Sequence, residues 1–174
     1  PIAGFIALIP IAVIGVMTME RTPFVREIPE GNIVFSNPLM MQLIAAVFSA
    51  ELNFLSHNPF YFAAWVGLLV TALNLIPSGQ LDGGHAVYAV LGERAHYWSG
   101  RIAFPIMAIL SIAGFYYFNS PSGFLIAILL GIMMRVGHPQ PWDQTPIDGK
   151  RKVIAFITLV IFVLSFVPFP IKIT

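Results

Sequence analysis

Apolar positions in this chain gather into long unbroken runs separated by short polar stretches, neither alternating nor confined to one helical stripe. Ile2–Met19 is the first run. At 1.5 Å rise per residue its roughly 18 residues reach about 27 Å, enough to span a bilayer's hydrocarbon. Pro10 inside it predicts a kink, because transmembrane helices tolerate proline. Glu20–Asn37 is polar and carries the turn signal Pro29-Glu30-Gly31-Asn32, so it reads as a loop outside the hydrocarbon, with a short strand at Ile33–Phe35. Pro38–Leu55 is apolar but interrupted by Gln42, Ser49, Glu51 and Asn53, which predicts an interfacial or partly inserted helix. Pro59–Ile76 is the next span, with Pro59 suited to a first helical position. Ala86–Leu91 continues as helix, and Gly92–Gly100 reads as a charged surface segment. Ile102–Phe118 and Phe124–Val136 form a helical hairpin about the turn at Asn119–Gly123. Gly137–Lys152 is a polar, proline-rich loop and Val153–Phe169 the last span. The expected fold is an all-α integral membrane protein, a polytopic helical bundle in a single membrane domain over residues 1–174.

Composition supports that class. Hydrophobic residues make up 57% and charged residues 10%, with mean hydropathy +0.83; average soluble domains carry roughly 25% charge. A net charge of +1, with no basic stripe interleaved with aromatics, argues against a nucleic-acid partner and leaves the lipid bilayer as the expected surrounding. The absence of cysteine excludes disulfides and thiolate metal sites, leaving histidine and carboxylate chemistry. Pro1–Met19 has neither a basic leader nor a small-residue cleavage site, so it does not read as a signal peptide.

Asn74 to His85, NLIPSGQLDGGH, breaks the apolar pattern most sharply. Pro77 ends the preceding helix, and Gly79, Gly83 and Gly84 permit irregular backbone, which predicts a broken helix here. Asp82 is the only acid between Glu51 and Glu93. An ionisable residue near bilayer depth is costly and marks a functional position, while Asp before Gly-Gly is also ordinary capping or turn chemistry. The local residues leave both open.

Asn74-Leu75-x-Pro77 followed by Leu81-Asp82-Gly83 resembles the second metal motif of the site-2 protease family, intramembrane zinc metalloproteases. The resemblance extends upstream through HNPFYFAAWVGLLVTALNLIP and downstream through YAVLGERAHYW to GHPQPWDQTPIDGKRK, covering most of residues 57–155. It implies that Asp82 is the third protein ligand of a zinc ion. The other two ligands and the general base would be the histidines and glutamate of an HExxH helix. It further implies that Asn74 donates a hydrogen bond to the substrate near the scissile bond. No HExxH occurs in these residues, and PIAGF at the start resembles the stretch just after that helix in the family. The expectation is therefore a C-terminal portion that supplies one ligand, inactive alone, and is completed by an N-terminal HExxH-bearing part of the same protein. Its substrate would be a membrane protein or peptide. Two other classes fit less of the pattern. A transporter would line a pore with the broken helix and predicts an inverted repeat, which is not visible. A non-proteolytic scaffold would have lost HExxH.

The remaining histidines read more blandly. His85, three after Asp82, shares its helix face if the helix starts there, and a supporting contact or plain packing suits it equally. Glu93 and His96 form an ExxH pair, which bundle metal sites use only with a second pair. His57 reads as a cap, His138, Trp142 and Asp143 resemble a recurrent stretch of the family, and Asp143 or Asp148 suits an ion pair with Arg151. Arg94, Arg101, Arg135, Lys150, Arg151 and Lys152 fall on the Asp82 face, against Arg21, Arg26 and Lys172 opposite, so the positive-inside rule makes the Asp82 face cytoplasmic. The expected setting is a bacterial inner membrane or a chloroplast membrane.

Overall fold

The computed structural model describes residues 2–19, 31–52, 58–135 and 148–173. Their elements are α1 (Ile2–Met17), β1 (Ile33–Phe35), α2 (Leu39–Val47), α3 (Pro59–Asn74), α4 (Asp82–Leu91), α5 (Glu93–Phe118), α6 (Ser122–Arg135), α7 (Gly149–Ser165) and β2 (Ile171–Ile173). The helical class is as expected, and β1 lies where the short strand was placed.

Several boundaries differ from the sequence reading, and those of α5, α7 and α2 have a physical reason. The charged stretch after Gly92 is not a separate surface segment but the start of α5. Gly92, at φ +85°, turns the chain between α4 and α5. Arg101 then folds back along the new helix, its guanidinium 3.5 Å from the centre of the Tyr97 ring and donating to the Tyr97 carbonyl at 2.9 Å. A long basic side chain can thus sit on an apolar helix while its charge points toward the end of that helix. The last helix starts earlier and stops earlier than expected. Asp148 caps it by accepting from the Arg151 amide at 3.0 Å, and Pro168 and Pro170 follow its end at Ser165. Asp148 also pairs with Arg151 at 3.9 Å, an exposed contact worth little. Finally, α2 ends at Val47, because Ser49 adopts a left-handed conformation and the Ala50 amide returns to the Ala45 carbonyl.

Small residues set the helix contacts. In the antiparallel pair α1–α3, a Cβ on Gly15 would lie 2.6 Å from the Tyr61 nitrogen, and one on Gly67 would lie 2.4 Å from Leu8. In the hairpin α5–α6, Gly123 meets Ser111 and Gly131 meets the Phe104 ring in the same way. Where solvent is lipid, close backbone approach of this kind replaces the hydrophobic effect as the source of helix association. Three hydroxyls within the apolar helices satisfy themselves: Thr71, Ser111 and Thr158 each donate to the carbonyl four residues back.

Two buried clusters result. One gathers Phe5, Ala12 and Val16 of α1, Met41 and Ile44 of α2, Ala64 and Leu68 of α3, Leu75, and Ile161 of α7. The other gathers Ile76, Met107 of α5, and Ile126, Ala127 and Leu130 of α6. At the pole away from Asp82, β1 pairs antiparallel with β2, Val34 opposite Lys172, and Ser120 and Ser122 both donate to the Ile171 carbonyl. The outer faces stay apolar, with Ile109, Ile112, Leu125 and Tyr116 largely exposed. Of the described helices only α5 is long and apolar enough to cross a bilayer alone; α1, α3 and α6 are shorter apolar helices.

Gly15→Ala forces a methyl against the α3 backbone, and overpacking of that kind costs roughly 1–3 kcal/mol. Gly4, with nothing within 4 Å of its added Cβ, is the control. Thermal unfolding in detergent should show a clear drop in midpoint for Gly15→Ala and none for Gly4→Ala.

Candidate active-site loop

α3 runs out at Asn74, and the seven residues Leu75 to Leu81 form an irregular turn before α4 starts at Asp82. Leu75 and Ile76 are buried and point into different clusters, so consecutive side chains anchor the turn on both sides. The backbone closes on itself: the Leu75 amide donates to the Thr71 carbonyl at 3.0 Å, Ser78 to Ile76 at 2.7 Å, and Leu81 to Ser78 at 3.3 Å. Buried non-helical backbone needs this internal satisfaction.

The glycines act differently from one another. Gly79 has φ +56° and a Cβ there would lie 2.7 Å from the Met133 carbonyl oxygen, so it alone supplies the irregular conformation expected of all three. Gly83 and Gly84 are helical, and what they provide is room. A Cβ on Gly83 would lie 1.9 Å from the Leu75 carbonyl oxygen, and one on Gly84 would lie 2.5 Å from that of Gly79. Gly100 of α5 does the same for the fully buried Ser78, whose hydroxyl would meet an added Cβ at 2.7 Å and has no hydrogen-bond partner among the described residues.

Asp82 is exposed at the first position of α4. The cap residue is Leu81, which offers no side-chain hydrogen bond, so the capping role open to Asp82 in the sequence is not the one it plays. Its carboxylate makes no hydrogen bond or ion pair among the described residues, and it sits where a helix N-terminus favours negative charge. Asn74 is also exposed, at the last position of α3. Because Gly83 crosses directly over Leu75, Asp82 and Asn74 flank one and the same backbone contact.

His85 follows Asp82 by three within α4, as the sequence allowed, and is exposed. His96 reaches across from α5: its Nδ1 lies 3.0 Å from the Gly84 carbonyl and its ring meets the Tyr88 ring edge-on. A carbonyl only accepts, so Nδ1 carries the proton. The sequence pattern does not show this tether to the start of α4; there His96 stands only as half of a metal pair with Glu93. Among the described residues no three His, Asp or Glu side chains converge as a metal site. His57, His138, Trp142 and Asp143 lie outside the described residues. Asp82 fits a divalent ion as a single oxygen ligand, exposed and with no partner on its lone pairs among the described residues.

The family model for peptidase family M50 matches residues 1–114, from α1 through most of α5, with the Asn74–Asp82 turn inside the match. The chain belongs to peptidase family M50. This is the site-2 protease family, so the resemblance carried by Asn74, Pro77 and Leu81-Asp82-Gly83 is a true membership. Among M50 relatives, a protein named probable zinc metalloprotease EGY2, chloroplastic, of Oryza sativa subsp. indica is 29% identical over 116 residues, 67% of this chain and 20% of that protein. One named probable zinc metalloprotease EGY1, chloroplastic, of Arabidopsis thaliana is 26% identical over 149 residues, 79% of this chain and 25% of that protein. The chain thus spans about a fifth to a quarter of the length of these relatives. No solved structure matches.

The His96 tether is testable. His96→Leu removes a hydrogen bond worth about 1 kcal/mol and should speed amide exchange over the first turn of α4. His96→Asn keeps a donor near the Nδ1 position and should restore protection there.

Proposed function

We propose that this chain is the aspartate-bearing membrane portion of a zinc metalloprotease that cleaves peptide bonds within or near the membrane. The observation that carries the reading is Asp82 itself, an exposed carboxylate with no partner among the described residues, on a broken helix inside the M50 match. Zinc, when bound, supplies Lewis-acid activation of water and of the peptide carbonyl. Asp82 would be its oxygen ligand from this chain, and an HExxH-bearing part of the same protein would provide two histidines and the general base. The relatives named zinc metalloproteases support that cofactor.

The residues present have defined tasks in this scheme. Gly83 and Gly84 hold the start of α4 against the turn, and His96 fixes it laterally, so Asp82 is positioned without being neutralised. Asn74, across the Leu75 contact, is placed to donate to the carbonyl of a substrate segment lying extended along the turn. Phe62, Val66, Val70 and Asn74, spaced by four along α3, form one exposed ridge ending at the site. An apolar ridge that ends at the site suits a further helix of the same protein packed along it.

A bilayer setting is supported by α5. Tyr97 and Trp98 stand exposed near one end and Tyr116 and Tyr117 near the other, about 28 Å apart at helical rise, close to the hydrocarbon thickness. Such pairs mark the two interfaces. Lys172, over the Phe118 ring, belongs to the far end, whereas Arg135 ends α6 at the near one. The basic excess supports reading the Asp82 pole as the cytoplasmic side of a bacterial inner membrane or its topological equivalent in a chloroplast. Reporter fusions after Tyr97 and Gly149 should report the cytoplasmic side and one after Pro29 the opposite side; position 149 on the far side would overturn this arrangement.

Replacement of Asp82 by Asn in the full-length protein keeps shape and removes charge. Zinc retention should fall at least about tenfold, with proteolysis falling alongside and membrane insertion unchanged. Asn74→Ala should lower kcat roughly 100-fold, as loss of a donor to a developing oxyanion does, with zinc near stoichiometric. An Asp82→Asn protein with full zinc and full activity would end the assignment.

A further inference from the structure

The outer face of the α5–α6 hairpin carries a groove of about 450 Å³ lined by Phe104, Ile128, Gly131, Ile132, Met134 and Arg135. Gly131 lies in its lining with the Phe104 ring packed closely against it, since a Cβ there would come within 3.1 Å of that ring. Arg135 is the one charged group in the lining, exposed at the last position of α6 and without an ion pair among the described residues. Its neighbour Met134 approaches Gly100, so Arg135 lies at the level of Arg101, Tyr97 and Trp98, the aromatic band at this end of α5. Ile128 lies seven residues deeper, about 10 Å along the helix. The groove therefore has a cationic mouth at the level of an interface and an apolar floor running into the hydrocarbon.

We propose that this groove is a binding site for one anionic glycerophospholipid of the surrounding bilayer, its phosphate on Arg135 and an acyl chain along Gly131 and Ile128. The inference rests on the membrane setting argued above but not on the metal chemistry. Bulk lipid is as apolar as the groove, so the acyl chain contributes shape and little selectivity. Selectivity comes from the headgroup, because a guanidinium pairs with phosphate through two parallel N–H bonds and a zwitterionic headgroup offsets that charge with its own cation. An anionic lipid is the occupant that satisfies both ends of the groove at once.

The test is native mass spectrometry of the detergent-purified full-length protein offered equal phosphatidylglycerol and phosphatidylcholine. One phosphatidylglycerol should be retained in preference, roughly fivefold, the worth of one basic side chain facing an anionic headgroup. Arg135→Gln, at an exposed helix end where folding is unaffected, should abolish the preference. Ile132→Trp, which puts bulk into the groove from an exposed lining position, should lower retention of both lipids. Lys172→Gln, at the opposite pole, should change neither. Equal retention of the two lipids by the unmodified protein, or an undiminished preference in Arg135→Gln, overturns the site. Zinc content and insertion into vesicles, measured on the same samples, separate the causes. Inserted, zinc-loaded protein without lipid preference defeats this inference alone, and protein that does not insert defeats the membrane reading with it.

Discussion

The crossing of Gly83 over the Leu75 carbonyl is the contact on which the arrangement depends. Nothing larger than hydrogen fits there, since a Cβ would fall 1.9 Å from a backbone oxygen that cannot move independently of α3. That crossing turns the chain back so that α4 starts beside the end of α3. The same turn then divides its anchors, Leu75 into the cluster of α1, α2, α3 and α7 and Ile76 into that of α5 and α6. Gly79 against Met133 and Gly100 against Ser78 lock it to the hairpin. The two halves of the bundle thus meet at the turn, and a substitution that widens the crossing would separate them as well as move Asp82.

The runs of apolar residues are enough to place the helices, because length and hydropathy report directly how much of a segment lipid or core can accept. They are not enough to place ends that depend on one residue's geometry. Residues 93–100 read as a charged surface segment when charge is equated with solvent, whereas Arg101 stays helical by laying its guanidinium on Tyr97. The helix expected to reach Phe169 stops at Ser165, where the prolines at 168 and 170 are signal enough. β2 leaves no local pattern, since three residues acquire strand geometry only through β1, far away in sequence. At the site, the order Asn-x-x-Pro…Leu-Asp-Gly is legible. The division of labour among three glycines and the His96 tether are not, because close approach between distant backbones leaves no periodicity to read.

The two poles of the bundle treat polar groups in opposite ways. At the far pole Ser120 and Ser122 meet the Ile171 carbonyl, Asn58 caps α3 and donates to Thr18, and Trp65 donates to the Ser36 carbonyl. Polar side chains there find partners from segments up to 51 residues away. At the Asp82 pole the close contacts are made by glycines, backbone and the His96 ring, and the two polar side chains flanking the crossing, Asn74 and Asp82, stay exposed. The pairing at the far pole is partial, since the buried hydroxyls of Ser36 and Ser165 have no partner among the described residues. Leaving a carboxylate available next to an apolar surface is costly unless something outside these residues completes it. The start of α4 is held by backbone crossings and by the His96 ring, while the Asp82 carboxylate makes no hydrogen bond or ion pair among the described residues.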